Sequence, residues 1–240
     1  MAMDSESRKK LQMFLWAAIV ITGGRAAYIV YDRYQERKQD EQPKKVVALK
    51  ADYYVTPKKL HPYDLKSARE LTRQPVWVKL GYSSTYYPYN SARRKTDFDH
   101  EAGTLGPLQK LQITDVAAEL PPHSKDAMQV FARFEFEGKT YSVPIGAGMS
   151  GDYKIYSDEM FFIEDPHELY KHWPTDVWNA IENHEIRPGM NELQASFARG
   201  VGIPQGSGDY GSRTLQYANG GKPVTVTFRS DKAVEIVPGS

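Results

Sequence analysis

Three groups of residues in this chain have types and spacings that could support catalysis or cofactor binding. Residues 146–151 read Gly-Ala-Gly-Met-Ser-Gly, which matches the G-x-G-x-x-G pattern of dinucleotide sites. That pattern holds a pyrophosphate only where a helix begins directly after it and presents its first amides. Residues 152–156 read Asp-Tyr-Lys-Ile-Tyr, which favours a strand or turn. We therefore interpret the glycines as a β-connection and expect no cofactor.

A second group, Asp97, Asp99, His100 and Glu101, has the side chains of a metal or acid–base site. Carboxylates and imidazoles are common ligands of divalent ions. The segment is short and turn-rich, and it directly follows the basic residues 93–95. We interpret it as a solvated loop and predict no metal site.

The third group is His167, His172 and His184, whose spacing does not place them on one helical face. The chain contains no H-E-x-x-H motif and no G-x-S-x-G nucleophile elbow. It also has no cysteine, which excludes disulfides, thiolate nucleophiles and most structural zinc sites. We therefore predict no catalytic residue and a protein that is not an enzyme.

Tyrosine is the most distinctive component of the composition, with 16 residues. Tyr86, Tyr87 and Tyr89 fall in a tyrosine-rich loop over residues 82–89, where they could stack against a sugar ring or a peptide. Packing inside a β-sheet would explain them equally well, and both interpretations stay open. The formal net charge of +1 argues against nucleic acid as a partner.

The N-terminus predicts a membrane anchor. Basic residues 8–10 precede an apolar run, and one helix over residues 11–31 would be about 30 Å long, enough to cross a bilayer. Arg25 would snorkel at its end. A cleaved signal peptide is the alternative, because residues 24–26 (Gly-Arg-Ala) form a small-x-small cleavage site. We predict an uncleaved signal anchor that contacts membrane lipid through residues 11–31.

The rest of the chain divides by composition. Residues 1–10 form a tail, and residues 32–74 form a charged linker with a short helix capped by Asp64. Residues 75–168 contain several short strand candidates, including a hairpin closed by Glu137-Gly138, which predicts a small β-barrel or sandwich domain. Residues 169–240 form a separate module. The predicted fold class is α+β.

That C-terminal module carries the clearest local signals. A helix follows Pro174, and a second begins after Asn191, where Gln194 completes a capping box. Gly200 is a natural helix end. Three alternating segments with turn residues between them follow, over residues 213–217, 224–228 and 233–237. Two helices on one face of a three-stranded antiparallel sheet would bury both apolar faces.

The order of this module resembles the SmpA/OmlA family, the BamE-like small lipoproteins of the bacterial outer membrane. The resemblance covers roughly residues 173–237. It is carried by I-x-x-G-M at residues 186–190, Gln194, G-x-P at residues 202–204, Leu-Gln-Tyr at residues 215–217 and Val-Thr-Val-Thr-Phe at residues 224–228. The chain departs from the family in lacking the lipidated cysteine, in its predicted transmembrane helix and in its long middle region.

The resemblance implies a protein-interaction module that supports a larger complex and performs no chemistry. We therefore predict a non-catalytic, single-pass, membrane-anchored scaffold or accessory subunit of a membrane protein complex in the bacterial inner membrane. The alternative is a module of the cell envelope that recognises glycan or peptide through Tyr86, Tyr87 and Tyr89. The charge distribution around the anchor would keep the C-terminal part in the cytoplasm, whereas the resemblance implies the periplasm, which we favour.

The partner-binding residues of the scaffold function are predicted in two turn-rich connections. Arg187 and Pro188 lie in the link between the two helices, and Tyr210 lies in the glycine-rich loop that follows them. Arginine and tyrosine are the residue types most enriched at interface hot spots.

Overall fold

The structure is a computed structural model that describes residues 22, 24, 25, 27–35, 50–122 and 124–239. Its contacts divide the chain into two units, residues 1–50 and residues 51–240. In the first unit, residues 27–35 are helical and exposed. All the elements named below belong to the second unit.

The predicted transmembrane helix over residues 11–31 is not supported. Over the part of the chain that the structure describes, no helix combines the length and the apolar character that a bilayer crossing requires. Residues 11–21 lie outside the described residues. The signal anchor and the single-pass inner-membrane location were predicted from this segment, and they are not supported either.

The predicted barrel or sandwich in the middle of the chain is also wrong. The second unit is mostly a curled sheet of many strands with a few short helices. The helices are α1 (Leu65–Ala68), α2 (Ser157–Met160), α3 (Pro166–Leu169), α4 (Thr175–Glu182) and α5 (Glu192–Arg199), with 3-10 turns at Ala51–Tyr54 and Arg69–Arg73.

The strands form three sheets. They are β1 (Val76–Val78), β2 (Thr85–Asn90), β3 (Lys95–Thr96), β4 (Gly103–Thr104), β5 (Lys110–Leu111), β6 (Ile113–Glu119), β7 (Ala127–Phe136), β8 (Lys139–Met149), β9 (Asp152–Ile155), β10 (Phe161–Phe162), β11 (Ile203–Pro204), β12 (Thr214–Tyr217), β13 (Val224–Arg229) and β14 (Lys232–Pro238).

The largest sheet has the order β3-β2-β8-β7-β6, with β4 added to β2 and β9 added to β8. Its centre is the β7–β8 hairpin, where Glu137 and Gly138 both have positive φ, as a tight hairpin turn requires. Val130, Ala132 and Phe134 alternate along β7 into a buried core that we call core 1. The hairpin predicted from the sequence is confirmed.

The small sheet β10-β1-β5 separates core 1 from a second, aromatic core, which we call core 2. Val76 and Val78 of β1 point into core 1, while Trp77 between them packs against core 2. In β10, Phe161 belongs to core 1 and Phe162 to core 2. Because side chains alternate across a strand, one thin sheet supplies a wall to both cores.

Core 2 joins this wall to the C-terminal helices. The ring of Trp173 stacks on Tyr170 with centroids 4.4 Å apart and meets Phe197 of α5 edge-on at 5.2 Å. Phe162 lies 5.9 Å from Phe197. On its other side α5 turns Ala195 towards the sheet β11-β12-β13-β14, whose buried face carries Leu215 and other apolar side chains.

Residues 55–63 form an arm without regular secondary structure that packs against both cores. Val55 packs against core 2 and Leu60 packs against core 1. The buried carboxylate of Asp158 in α2 accepts the main-chain N–H groups of Leu60 at 3.0 Å and of His61 at 2.8 Å. The carboxylate is the acceptor for main-chain N–H groups that have no partner in a helix or a sheet.

Glu164 makes a second attachment of the arm. Its carboxylate accepts the main-chain N–H of Lys58 at 2.9 Å and pairs with the Lys58 ammonium at 2.9 Å. These hydrogen bonds from Lys58 lower the pKa of Glu164 below its ordinary value. The Lys58 side chain is 75% exposed, so this pair is screened by solvent and weaker than the bonds to Asp158.

We expect Asp158→Ala to lower the free energy of unfolding by about 2–4 kcal/mol, because two main-chain N–H groups lose their acceptor. Glu164→Ala is the matched control and should cost less than about 1 kcal/mol. Urea unfolding at pH 7 measures both. Equal losses in the two variants would show that Asp158 does not hold the arm.

Candidate functional site

Three irregular segments meet at one end of the C-terminal sheet. They are the helix–helix connection at residues 186–190, the loop at residues 208–212 and the β13–β14 turn at residues 230–233. We call them together the turn surface. Two of them contain the predicted partner-binding residues Arg187, Pro188 and Tyr210.

The connection pairs with the first residues of the edge strand β14. Gly189 donates its N–H to the carbonyl of Ala233 at 2.9 Å, and Ala233 donates back to Met190 at 2.8 Å. Gly189 has φ of +88°, a conformation that other residues rarely adopt. Met190 is buried in core 2 beneath the connection. The segment is therefore fixed from both sides, and part of the exposed sheet edge is covered.

The loop is fixed by the buried carboxylate of Glu192, the first residue of α5. Glu192 is 3% exposed, and its carboxylate accepts the N–H of Gly211 at 2.8 Å and two donors of the Arg213 guanidinium. Asp231 in the hairpin turn donates its N–H to Gly211 at 2.7 Å. The Glu192 carboxylate thus connects the helix start to the loop, and the main chain of Gly211 connects the loop to the turn.

Tyr210 lies at the exposed end of this arrangement. Its residue is 55% exposed, and its ring lies 5.7 Å from the Arg213 guanidinium, within cation–π range. Partial burial of the hydroxyl, together with the charges of Asp231 and Glu192, raises the pKa of Tyr210 to about 12. The phenol therefore stays neutral at physiological pH and can donate a hydrogen bond to a partner.

Arg187 and Pro188 are also exposed. The Arg187 guanidinium bonds Glu185 at 2.7 Å, and both side chains are about half exposed. Such a pair contributes little to stability, so Arg187 is free to exchange its partner for another carboxylate. The segments that carry Arg187, Pro188 and Tyr210 thus both bond to the β13–β14 hairpin.

The tyrosines of the alternative prediction lie on a different sheet, in β2. Tyr86 packs edge-on against Phe134, with centroids 5.5 Å apart. Tyr87 faces Phe98, and Tyr89 lies 4.1 Å below the Arg133 guanidinium. All three are partly buried. Internal packing therefore accounts for much of each ring.

Tyr86 also lines a cleft of about 560 Å³ between the β-rich part and α4. Trp77, Phe136 and His167 lie in its wall as well. Phe136 is 41% exposed at the end of β7. Three aromatic side chains and the imidazole of His167 therefore line this cleft.

The glycine motif at residues 146–151 is a β-connection, as predicted. It spans the end of β8 and the turn into β9, with Ser150 and Gly151 at positive φ. A Cβ on Gly146 would lie 2.6 Å from the Lys154 carbonyl oxygen, and one on Gly148 would lie 2.5 Å from the Tyr153 ring. These glycines permit close packing of β9.

The other two groups of titratable residues stay dispersed. His100 bonds Asp97 at 3.0 Å in an exposed loop, and no group of three or more His, Asp or Glu side chains suited to a metal occurs among the residues described. His167 lies between Asp165 and Glu182, while His184 bonds the Ala198 carbonyl. His172 bonds Asp52.

Sequence reasoning missed Glu192 and Asp231, which position the turn surface. Both are ordinary acidic residues in the sequence, and Glu192 suggests only a favourable charge at a helix start. Its bonds to Gly211 and Arg213, which lie 19 and 21 positions later in the chain, depend on how β12 returns beside α5. The capping box of Asn191 and Gln194, which is a local feature, is confirmed at 2.8 and 2.9 Å.

Comparison with known proteins gives no relative for this chain. No protein-family model matches it, and no curated protein and no solved structure matches it significantly.

We expect Glu192→Gln to lower the free energy of unfolding by about 2–3 kcal/mol, because a largely buried ion pair loses one partner. Residues 208–212 should then exchange their amide hydrogens faster. Glu185→Gln is the control, since the Glu185 side chain is 55% exposed and should cost less than about 0.5 kcal/mol. A normal exchange rate of the loop in Glu192→Gln would contradict this role.

Proposed function

We propose that this chain is a non-catalytic accessory or scaffold subunit that binds another protein through the turn surface. The observation that supports it is that Arg187 and Pro188 on one segment, and Tyr210 on a segment distant in sequence, are exposed where both segments bond to the β13–β14 hairpin. Arginine and tyrosine carry a large share of the binding energy at many interfaces.

The rigidity of the surface supports the same function. The connection is held by its two hydrogen bonds to Ala233, and the loop is held by Glu192. A surface that is ordered before binding loses less conformational entropy when a partner binds. Arg187 and Tyr210 also keep exposed polar atoms that can determine specificity.

The resemblance of the C-terminal module to the SmpA/OmlA family points to the same class of function. Its motif I-x-x-G-M contains Gly189 and Met190, which here fix the connection beneath Arg187. In this proposal the partner is a subunit of a larger protein assembly.

The double variant Arg187→Ala/Tyr210→Ala should weaken partner binding by about 100-fold or more, because each side chain can contribute about 2 kcal/mol at a hot spot. Its melting temperature should remain close to that of the wild type, since both side chains are exposed. Proteins captured from cell extract on the full chain identify the partner, and the dissociation constant is then measured with that purified partner.

The matched control is Arg93→Ala/Tyr63→Ala, which removes an exposed arginine and a 76% exposed tyrosine elsewhere. It should bind the partner normally. Equal capture by the wild type and both double variants would refute the turn surface as the partner site.

A second candidate function is recognition of a glycan or peptide in the cleft lined by Trp77, Tyr86 and Phe136. The concentration of aromatic side chains around one cleft favours it, because aromatic faces bind both sugar rings and peptide side chains.

For this second function, Phe136→Ala should lower co-sedimentation with isolated bacterial cell wall by more than about half while changing stability by less than about 1 kcal/mol, since the ring is exposed. The double variant of the turn surface should co-sediment normally. If the wild type itself stays in the supernatant, cell-wall glycan is not the ligand of the cleft.

A further inference from the structure

The carboxylate of Asp52 accepts hydrogen bonds from three side chains that lie far from it in sequence. The indole Nε1–H of Trp173 donates to Oδ1 at 2.7 Å, and Asn191 Nδ2 donates to Oδ2 at 2.7 Å. His172 Nε2 lies 2.5 Å from Oδ1. An ionised carboxylate only accepts, so His172 must hold its proton on Nε2. Together these three donors form a site for a carboxylate.

Two of the three donors, Trp173 and Asn191, are positioned without help from Asp52. Trp173 is 6% exposed and stacks on Tyr170, with Phe197 against its edge. Asn191 is fixed as the N-cap of α5 by its bonds with Gln194. The site is therefore built into core 2 and the start of α5, and it is ordered before anything occupies it.

The segment that carries Asp52 is held much less firmly. It is a single 3-10 turn of four residues, Ala51–Tyr54, none of which is buried. Tyr53 and Tyr54 are 65% and 69% exposed. Asp52 and the following Val55 make the segment's packing and hydrogen-bond contacts with the rest of the second unit, and Tyr53 lies near Tyr210. Segments with few buried contacts open locally at a small fraction of the free energy of global unfolding.

We propose that Ala51–Tyr54 is an exchangeable occupant of a carboxylate-binding site, and that an acidic segment of a partner protein takes this site in its place. The bound segment has an aspartate followed by an aromatic residue in a tight turn. We infer the same chemistry for the partner segment. The inference rests on the donors Trp173, His172 and Asn191 and not on the function proposed for the turn surface.

The energetics explain why the replacement must be acidic. When Asp52 leaves, the indole N–H of Trp173 and the amide of Asn191 lose their acceptor in a largely buried place, which is costly. A second carboxylate restores these bonds, and hydrogen bonds to an ionised acceptor are stronger than those to a neutral one. A neutral amide in place of the carboxylate provides one acceptor oxygen and should bind much more weakly.

The test uses the full chain and a defined probe. The probe is a fluorescent peptide with the sequence of residues 50–56, Lys-Ala-Asp-Tyr-Tyr-Val-Thr, blocked at both ends. A second peptide has asparagine in place of the aspartate. Fluorescence anisotropy measures both peptides against the wild type and against Asp52→Ala, whose folding is checked by circular dichroism.

We expect Asp52→Ala to bind the aspartate peptide at least about tenfold more tightly than the asparagine peptide, since charge-assisted bonds are lost in the latter. The wild type should show the same preference with weaker, saturable binding, because its own Asp52 competes. Trp173→Phe in the Asp52→Ala background should reduce the preference for aspartate, whereas Trp178→Phe, in the same core without a bond to Asp52, should not.

Equal affinity for the two peptides, or no binding of the aspartate peptide to folded Asp52→Ala, would overturn the carboxylate site. If the wild type does not bind the aspartate peptide at millimolar concentration, the proposal that the segment can be exchanged is refuted. If Asp52→Ala does not fold, the wild-type preference between the two peptides decides alone. The preference for aspartate over asparagine depends on Trp173, His172 and Asn191, whereas the proposed function is tested with Arg187→Ala/Tyr210→Ala, so this inference and the proposed function fail separately.

Discussion

The alternation of side chains along two very short strands is the constraint on which the second unit depends. Val76 and Val78 face core 1 and Trp77 between them faces core 2, while Phe161 and Phe162 divide in the same way. The register pairs Trp77 with Phe162 and Val78 with Phe161, so the two strands present matching sides. A shift by one residue would place each of these side chains in the wrong core.

Because both cores share this wall, the curled sheet and the C-terminal helices are packed as neighbours instead of being joined by a flexible linker. Phe162 contacts Phe197 of α5 directly, and the aromatic rings around Trp173 continue the contact. Helix α5 then faces the terminal sheet through Ala195. The turn surface is thus supported by layers of packing that begin at the small sheet.

Carboxylates hold the irregular parts of the chain onto this frame. Asp158 accepts two N–H groups of the arm, Glu192 fixes the loop at residues 208–212, and Asp52 connects the 3-10 turn to core 2. Chain outside helices and sheets has main-chain or side-chain donors that need acceptors when water is excluded. A buried carboxylate can satisfy two or three of them at once.

The sequence by itself determined those features whose interactions lie within a few residues. The turn at Glu137-Gly138, the capping box of Asn191 and Gln194 and the cap at Asp64 were all predicted correctly, because each is a local hydrogen-bonding or φ requirement. The tertiary structure decided the rest. The apolar run at the N-terminus suggested a membrane helix that the described residues do not support, and short strands suggested a barrel or sandwich where one sheet curls. Asp52 gave no signal, because its donors lie 120, 121 and 139 residues away. Only the packing of core 2 brings them to one carboxylate, and such contacts leave no periodic pattern in the sequence.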